Sequence, residues 1–425
     1  MADEHRFSRF ELSDWRQFGQ VDIDLSARLT VLTGENGTGK TTLLSMLGNH
    51  FDHYSTFLGT PTRNKKNEFV FLAGRTVRLN DPVQPNINGE VFESFGTLTY
   101  SNGAKAAVGV SSYQGYNSPQ FGVEFRGGPQ VAGLFLDSHR VVSGYEKVES
   151  VPPRFNSASE IGRLFREQLR NWWMPNVLRK SPSLLIKEAL IAAALYGEGN
   201  SAVRADPLAA EVWAGFQEVL SRLLPKSLGF QKLQIDQGEV ILETRSGQFA
   251  LEAVSGGLSA IFELAWQVYL RSRESETFTV CFDEPENHLH PSLQRSLLPS
   301  LLDAFPKVNF IVATHSPFVV TSSHDSAVYV LRRDAEGVVN SQLLDLVEQA
   351  YTSEEILREV LGVGSTLPIW AEQRFDVIME TFTSKPVSAE SISDLASQLR
   401  EAGLRFSIPQ VVESIADSET AADGK

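Results

Sequence analysis

The residues Gly34-Glu35-Asn36-Gly37-Thr38-Gly39-Lys40-Thr41 fit the pattern G-x-x-x-x-G-K-[ST], and Thr42 follows directly. The chemistry this spacing serves is the holding of phosphate. Glycines let successive main-chain N–H groups curl around phosphate oxygens without a Cβ in the way, and a helix that starts at the lysine adds its partial positive end. Lys40 is then placed to reach the outer phosphates, and the Thr41 hydroxyl to ligate Mg²⁺. The context agrees, because the apolar run Leu29-Thr-Val-Leu-Thr33 precedes the loop and the helical stretch Thr41-Thr-Leu-Leu-Ser-Met-Leu47 follows it.

Three further groups have the right chemistry to serve such a loop. Thr277-Phe-Thr-Val-Cys-Phe-Asp283-Glu284 sets two carboxylates at the exit of a β-branched and aromatic run. Beside bound phosphates, Asp283 would hold the Mg²⁺ shell and Glu284 would orient or deprotonate an attacking water. Ser255-Gly256-Gly257 opens the helical stretch from Leu258, so small residues stand at a second helix start suited to an anion. Asn309-Phe-Ile-Val-Ala-Thr-His315-Ser-Pro317 brings one imidazole to the end of a strand. Taken singly, an acidic turn, a Ser-Gly turn and a lone histidine are ordinary structural features. The phosphate loop is what gives them a common purpose.

The elements needed to position these groups are legible along the chain. Residues 6 to 33 alternate as paired strands, and residues 60 to 135, rich in Gly, Asn, Ser, Phe and Val, read as a β-rich lobe. From 157 to 223 the apolar spacing becomes helical, opened by a capping box from Ser157 to Glu160. Prolines at 152, 153, 175, 182, 207 and 225 cut this helical insertion into short pieces and exclude a long coiled-coil arm. Strands return at 232 to 236 and 239 to 244. Helix (258 to 272), strand (277 to 282), helix (291 to 304) and strand (308 to 313) then alternate in the rhythm of an α/β sheet. Residues 353 to 416 read as helical and 417 to 425 as a small polar tail.

The chain's 425 residues, 42% hydrophobic and 21% charged, are enough to bury a large core and are not those of a disordered protein. No run approaches the ~20 apolar residues of a membrane span, and the first residues lack a secretory apolar core, so a cytoplasmic protein with no membrane partner is expected. The single cysteine, Cys281, excludes an internal disulfide and a cysteine-rich zinc site. A net charge of -14 argues against a protein coated in nucleic-acid-binding charge, while leaving room for a local basic patch. Trp172 and Trp173 beside Arg163, Arg166 and Arg170 are the candidate for one, although core tryptophans next to a solvated arginine face are the more ordinary reading of the same residues.

Lys40, Ser255, Asp283-Glu284 and His315, in that order, resemble the ABC-type ATPases with their Walker A, signature, Walker B and switch histidine. The spellings Phe282-Asp-Glu-Pro-Glu-Asn-His-Leu-His-Pro291 and Thr314-His-Ser-Pro317, with the opening phrase Phe10-Glu-Leu-Ser-Asp-Trp-Arg16-Gln-Phe18, are similar to the OLD, RecF and SMC-like branch. The resemblance implies an α/β fold: an ATPase head with a P-loop sheet and β-rich lobe, carrying a helical insertion and a short helical C-terminal region. The corresponding expected boundaries are 1–140 for the N-terminal lobe, 141–230 for the insertion, 231–345 for the C-terminal lobe and 346–425 for the extension.

It further implies ATP and Mg²⁺ as ligands, Glu284 and His315 as catalytic groups, and Arg16 near the nucleotide. Ser255, Gly256 and Gly257 would act on ATP held by a second copy, in a homodimer or larger homo-oligomer. Val254-Ser-Gly-Gly-Leu258 lacks the polar fifth residue of the usual signature. The Q-loop is unmarked by a glutamine, with Asp137-Ser-His-Arg140 in about its region. His288 and His290 beside Glu286 fall inside the family phrase, which favours a head-to-head contact over a metal site.

OLD nucleases continue into a TOPRIM domain with an Asp-x-Asp pair, and the 110 residues after His315 hold none. The resemblance therefore places any destructive output in a separate effector protein, a nuclease or toxin, as in prokaryotic defence modules such as Septu and PARIS. A RecF-like repair ATPase that binds DNA directly is the alternative. A transporter subunit fits less well, because 215 positions separate Lys40 from Ser255.

Overall fold

The computed structural model describes residues 5–51, 55–63, 67, 69–72, 91–112, 119–140, 144–172, 180–344, 352–363, 365, 368–383 and 389–404. In chain order the elements are β1 (Phe7–Trp15), β2 (Phe18–Asp24), β3 (Leu29–Gly34), α1 (Lys40–Gly48), β4 (Phe57–Leu58), β5 (Thr60–Arg63), β6 (Phe69–Leu72), β7 (Val91–Tyr100), β8 (Lys105–Ser112), β9 (Gln120–Phe121), β10 (Glu124–Arg126) and β11 (Gly133–Leu136). Next come α2 (Ala158–Asn171), α3 (Pro182–Glu198), α4 (Pro207–Leu223), β12 (Phe230–Asp236), β13 (Glu239–Thr244), β14 (Gly247–Ala250) and α5 (Gly256–Glu274). The remainder is β15 (Thr279–Asp283), α6 (Pro291–Ala304), β16 (Asn309–Ala313), α7 (Pro317–Val320), β17 (Ala327–Arg333), β18 (Val339–Leu344), α8 (Ser353–Glu355), α9 (Ile369–Thr383) and α10 (Ala389–Glu401).

Among the described residues one mixed sheet of 11 strands runs β10-β8-β7-β1-β2-β18-β17-β3-β16-β15-β11. Its two halves differ in composition for a physical reason. From β17 to β11 neighbouring strands are parallel, and every residue of β3, β15 and β16 is buried, as expected where helices cover both faces. In β1, β2, β7, β8 and β10 the strands are antiparallel, and β2 alternates buried and exposed residues because one face meets water. The parallel half brings the exits of β3, β15 and β16 together, since Phe310 to Ala313 pair with Leu29 to Leu32 and Thr279 to Asp283 pair with Asn309 to Ala313.

Phe10, Trp15, Phe18, Leu43, Met46 and Tyr100 belong to the core between the β-rich strands and α1. The helical insertion expected from the proline-punctuated segment is α2 to α4, and it packs on α5 through Phe216, whose ring centre lies 4.8 Å from that of Trp266. Half of the expected capping box forms. Ser157 accepts from the Glu160 N–H, whereas the Glu160 carboxylate lies 3.7 Å from Arg154. Helix α6 matches its expected span, fixed by Pro291 at its first position; β17 and β18, which the sequence patterns had not marked, complete the sheet. The chain divides at Ile356, and the second unit contains α9 and α10, held by Ala371, Phe382, Leu395, Leu399 and Leu404. The expected helical segment beyond 404 and the polar tail lie outside the described residues.

Candidate functional site

The phosphate loop joins the fully buried β3 to α1, and two of its glycines are sterically required. Gly34 has φ +137°, and a Cβ there would stand 2.4 Å from the Leu331 carbonyl oxygen; Gly39 has φ +94°, and a Cβ there would stand 2.4 Å from Phe18 Cζ. Gly39 is also the N-cap of α1 and supplies no side chain, so the first N–H groups of the helix stay free for an anion. Thr38 shapes the turn by donating its hydroxyl to the Glu35 carbonyl at 2.9 Å, while Asn36 and Gly37 are exposed at the tip. Lys40 is buried, and its ammonium donates to the Gly34 and Glu35 carbonyls, each at 2.9 Å. Burial pushes its pKa down to about 8 against the pull of Asp283, Glu284 and Glu286.

Thr41 and Asp283 meet although 242 positions separate them. The Thr41 hydroxyl lies 3.1 and 3.2 Å from the two Asp283 carboxylate oxygens, and Thr42 sits half-buried beside it. A hydroxyl and a buried carboxylate converging on one point are hard oxygen donors, a set that suits Mg²⁺. Burial pushes the Asp283 carboxyl up to about 6, a cost that a divalent cation would remove.

Glu284, next along, adopts φ +45° with its N–H bonded to the Ala313 carbonyl at 2.8 Å. Asn287 donates to its carboxylate at 2.8 Å and to the Ser138 carbonyl at 3.2 Å. Arg140 reaches the Glu284 carbonyl at 3.4 Å and lies over the Phe282 ring at 5.1 Å. The segment 137–140 thus lies against the exit of β15, because β11 is its sheet neighbour.

His315 is half-buried. Its pKa is lowered by burial and then by the Lys40 charge, while the Glu284 carboxylate and a hydrogen bond to the Gly34 backbone oppose the shift. The backbone around it is set by Glu286, whose carboxylate accepts from the Thr314 hydroxyl at 2.7 Å and from the His315 and Ser316 N–H groups at 2.8 and 3.1 Å. Glu284, Glu286, Asn287, Gln294, His315 and Ser316 line an open cleft of about 360 Å³.

Ser255 and Gly256 are exposed at the start of α5, and the serine side chain makes no capping bond. Gly257 is held close to the segment after β15: a Cβ there would stand 2.8 Å from the His288 carbonyl. Arg16 donates to the Leu58 carbonyl at 2.5 Å between the rings of Trp15 and Phe121, and burial lowers its pKa. Its neighbours Gln17 and Phe18 lie against Gly39, so the turn between β1 and β2 underlies the phosphate loop.

Two contacts had no signal in the motifs. Arg333 on β17 donates to the Gly37 carbonyl at 3.0 Å, a strap across the loop, and Glu286 is the acceptor that organises the histidine turn. His290 caps α6 by accepting from the Ser292 N–H. In the candidate basic patch, Arg163 pairs with Glu167 at 3.3 Å and Arg166 with Glu274 at 3.5 Å, which spends their charge within the chain; Trp173 lies outside the described residues.

The uncapped glycine loop, the acidic exit of β15, the histidine exit of β16 and the exposed Ser-Gly start of α5 are arranged as in an ABC-like ATPase, and similarity to known proteins supports an ATPase. Residues 222–321 match a family profile described as "AAA domain, putative AbiEii toxin, Type IV TA system", and residues 9–77 match one described as "AAA domain". The chain is similar to the Septu protein PtuA of Bacillus mycoides (strain KBAB4), 22% identical over 92% of this chain and 50% of that protein. It is also similar to the Septu protein PtuA of Bacillus thuringiensis, 27% identical over 34% of this chain and 40% of that one. A third relative, "Retron Ec83 probable ATPase" of Escherichia coli, is 26% identical over 28% of this chain and 25% of its own length. The chain spans half or less of the length of these curated relatives.

Among solved structures, an Smc head domain with an extended coiled coil, bound to the C-terminal domain of ScpA from Pyrococcus furiosus, aligns over 84% of this chain and 99% of that one. Its identity is 14% and its TM-score 0.46. The SMC head domain from Thermotoga maritima aligns over 80% and 99%, at 13% identity and a TM-score of 0.41. Among the described residues no helix is long and apolar enough to cross a membrane.

Proposed function

We propose that this ATPase binds Mg²⁺ and ATP in the loop Gly34–Thr42, closes against a second copy of itself, and hydrolyses the nucleotide to control a separate effector protein in antiphage defence. In this reading the main-chain N–H groups of 36–41 and the start of α1 hold the β- and γ-phosphates. Lys40 exchanges its carbonyl partners for phosphate oxygens. Bound Mg²⁺ would draw charge from the two outer phosphates, with Thr41 and Asp283 as its protein donors. Glu284, fixed by Asn287 at 2.8 Å, accepts the proton of the attacking water. His315, kept neutral by burial and by Lys40, contacts the γ-phosphate, and Arg16 supports the loop from below.

The observation that carries the reading is the convergence of Lys40, Thr41, Asp283, Glu284 and His315 at the exits of three adjacent parallel strands. A helix start with an unused serine hydroxyl faces outward elsewhere. Such an exposed start, with Ser255, Gly256 and Gly257, suits a phosphate presented by a neighbouring copy. The effector and the defence setting rest on similarity to the Septu and retron proteins, and a cytoplasmic location on the sequence composition alone. The division into lobes 1–140 and 231–345, insertion 141–230 and extension 346–425 belongs to the same proposal.

The decisive experiment is Glu284→Gln. ATP affinity is expected to stay within threefold while turnover falls at least a hundredfold, and an ATP-dependent assembly should accumulate in analytical ultracentrifugation. Turnover at the parent rate would remove Glu284 from the chemistry, and a single mass with and without ATP would remove the shared site.

A further inference from the structure

Lys187 lies on α3, in the helical insertion, and is completely buried. Its ammonium donates to Glu239 on β13 at 2.6 Å, to the Glu146 carbonyl at 2.9 Å, and lies 2.8 Å from Glu252. The Tyr145 ring stands 5.0 Å away, and its hydroxyl donates to Glu239 at 3.0 Å. Burial opposes the lysine charge, but the hydrogen bond to Glu239 and the close Glu252 carboxylate outweigh it and raise the pKa, so the group stays an ammonium. One buried cation therefore joins α3, the β12–β14 meander, the irregular segment at 145–146 and the 3-10 turn Leu251–Ala253.

The position of Glu252 is what gives this cluster a consequence. It precedes Ser255 by three residues, and its side chain is 5% exposed. The start of α5 has no side-chain cap; Ser255 is held on the helix side by the Ser259 N–H bond to its carbonyl at 2.9 Å and by the tight approach of Gly257 to His288, and on the other side by what anchors the residues just before it. Those anchors are Leu251, buried in the core, and the Glu252 carboxylate on Lys187. An apolar contact tolerates sliding by an ångström, whereas short charged bonds in a dry site do not. Moving α3 must carry the turn with it or leave a buried charge unpaired.

We infer that Lys187 is a positioning residue that couples the helical insertion to the Ser255-Gly256-Gly257 turn, so that anything displacing α3 controls how well one copy completes the nucleotide site of the next. The insertion is then the input arm of the ATPase and Lys187–Glu252 its linkage. This rests on the reading that the turn acts on a neighbouring copy.

The test uses the full chain with Glu252→Gln, which keeps side-chain volume, and Lys187→Met, with Glu239→Gln as the control for loss of a carboxylate on the same lysine away from the turn. Glu252→Gln and Lys187→Met are expected to leave ATP affinity within twofold. Hydrogen exchange at amides 252–258 should be accelerated tenfold or more. Placed in the Glu284→Gln form, they should raise the protein concentration at half-assembly with ATP at least tenfold. Glu239→Gln should lower the melting temperature without either effect.

If Glu252→Gln lowers the melting temperature alone and leaves exchange at 252–258 unchanged, the cluster is structural and the inference is overturned. A Lys187→Met chain that does not fold leaves Glu252→Gln to decide. The exchange measurement needs no nucleotide, so a Glu284→Gln parent that fails to assemble refutes the shared site while the exchange arm still decides the linkage.

Discussion

Lys40→Met isolates the contribution of one charge to nucleotide capture. The ammonium rests between two carbonyl oxygens at 2.9 Å, already inside the loop proposed to take phosphate. On binding it exchanges two charge–dipole bonds for two charge–charge bonds. At ~1.5–2 kcal/mol gained per bond, the exchange contributes about 3–4 kcal/mol, a factor of roughly 10² to 10³ in affinity. Methionine keeps the length and volume of the side chain, so the glycine loop retains its packing against Phe18 and Leu331. The fold does not depend on the charge, because burial holds the Lys40 pKa down to about 8 and the ammonium is a cost to the empty protein at neutral pH. The melting temperature of Lys40→Met without ligand should therefore equal or exceed that of the parent. Calorimetric titration with Mg²⁺ and ATP at pH 7 should show the dissociation constant rising by 10² or more. A constant within threefold of the parent, in a variant that melts normally, would refute the assignment of Lys40 to the phosphates.

Arg333→Ala removes the strap on the Gly37 carbonyl; binding should weaken about 3- to 10-fold, less than a buried charged hydrogen bond would give because this one is exposed to water, and exchange at amides 35–39 should quicken. His315→Ala should slow turnover tenfold or more while affinity stays within twofold, which steady-state rates and calorimetry together resolve. Mixing Lys40→Met chains with Ser255→Arg chains, each inactive alone, should restore about a quarter of parental turnover. In a two-fold assembly half the pairs are mixed, and each mixed pair keeps one intact site of two. Glu263 on α5 has its carboxyl pushed up to about 7, by burial and against the pull of Arg140. As pH rises from about 4.5 to 7 the unfolded chain loses this proton first, so the folded state loses up to about 3 kcal/mol across that window. Glu263→Gln should abolish that loss, seen as urea midpoints that gain on the parent between pH 5 and 8 and match it near pH 4.5.

The groups legible in the sequence share one property: each is encoded by a contiguous stretch whose local backbone does the positioning. Gly34 and Gly39 take conformations that residues with a Cβ avoid, Pro291 starts α6, and the unbroken apolar runs of β3, β15 and β16 could only be interior parallel strands. From these the Lys40, Thr41, Asp283 and His315 cluster follows once the strands are laid side by side. Arg333, Arg140 and Lys187 lack any such local mark. Arg333 finds its acceptor 296 residues away, and Arg140 sits against β15 only because β11 pairs with it.

Lys187 shows why such residues escape pattern reading. Within Leu184-Leu-Ile-Lys187-Glu-Ala-Leu-Ile191, a lysine in an apolar helix is naturally assigned to the solvent side, yet this one is fully buried. Its burial is decided by two carboxylates 52 and 65 positions later, and by nothing within its own helix. A contiguous motif reports what a site can bind, because ligand contacts need a local backbone shape. Long-range charge pairs report which moving parts are tied together, and that information appears only when distant segments are brought into contact. The nucleotide chemistry proposed for this protein is therefore readable from its loops, while the linkage inferred between its helical insertion and that chemistry had to come from the packed chain.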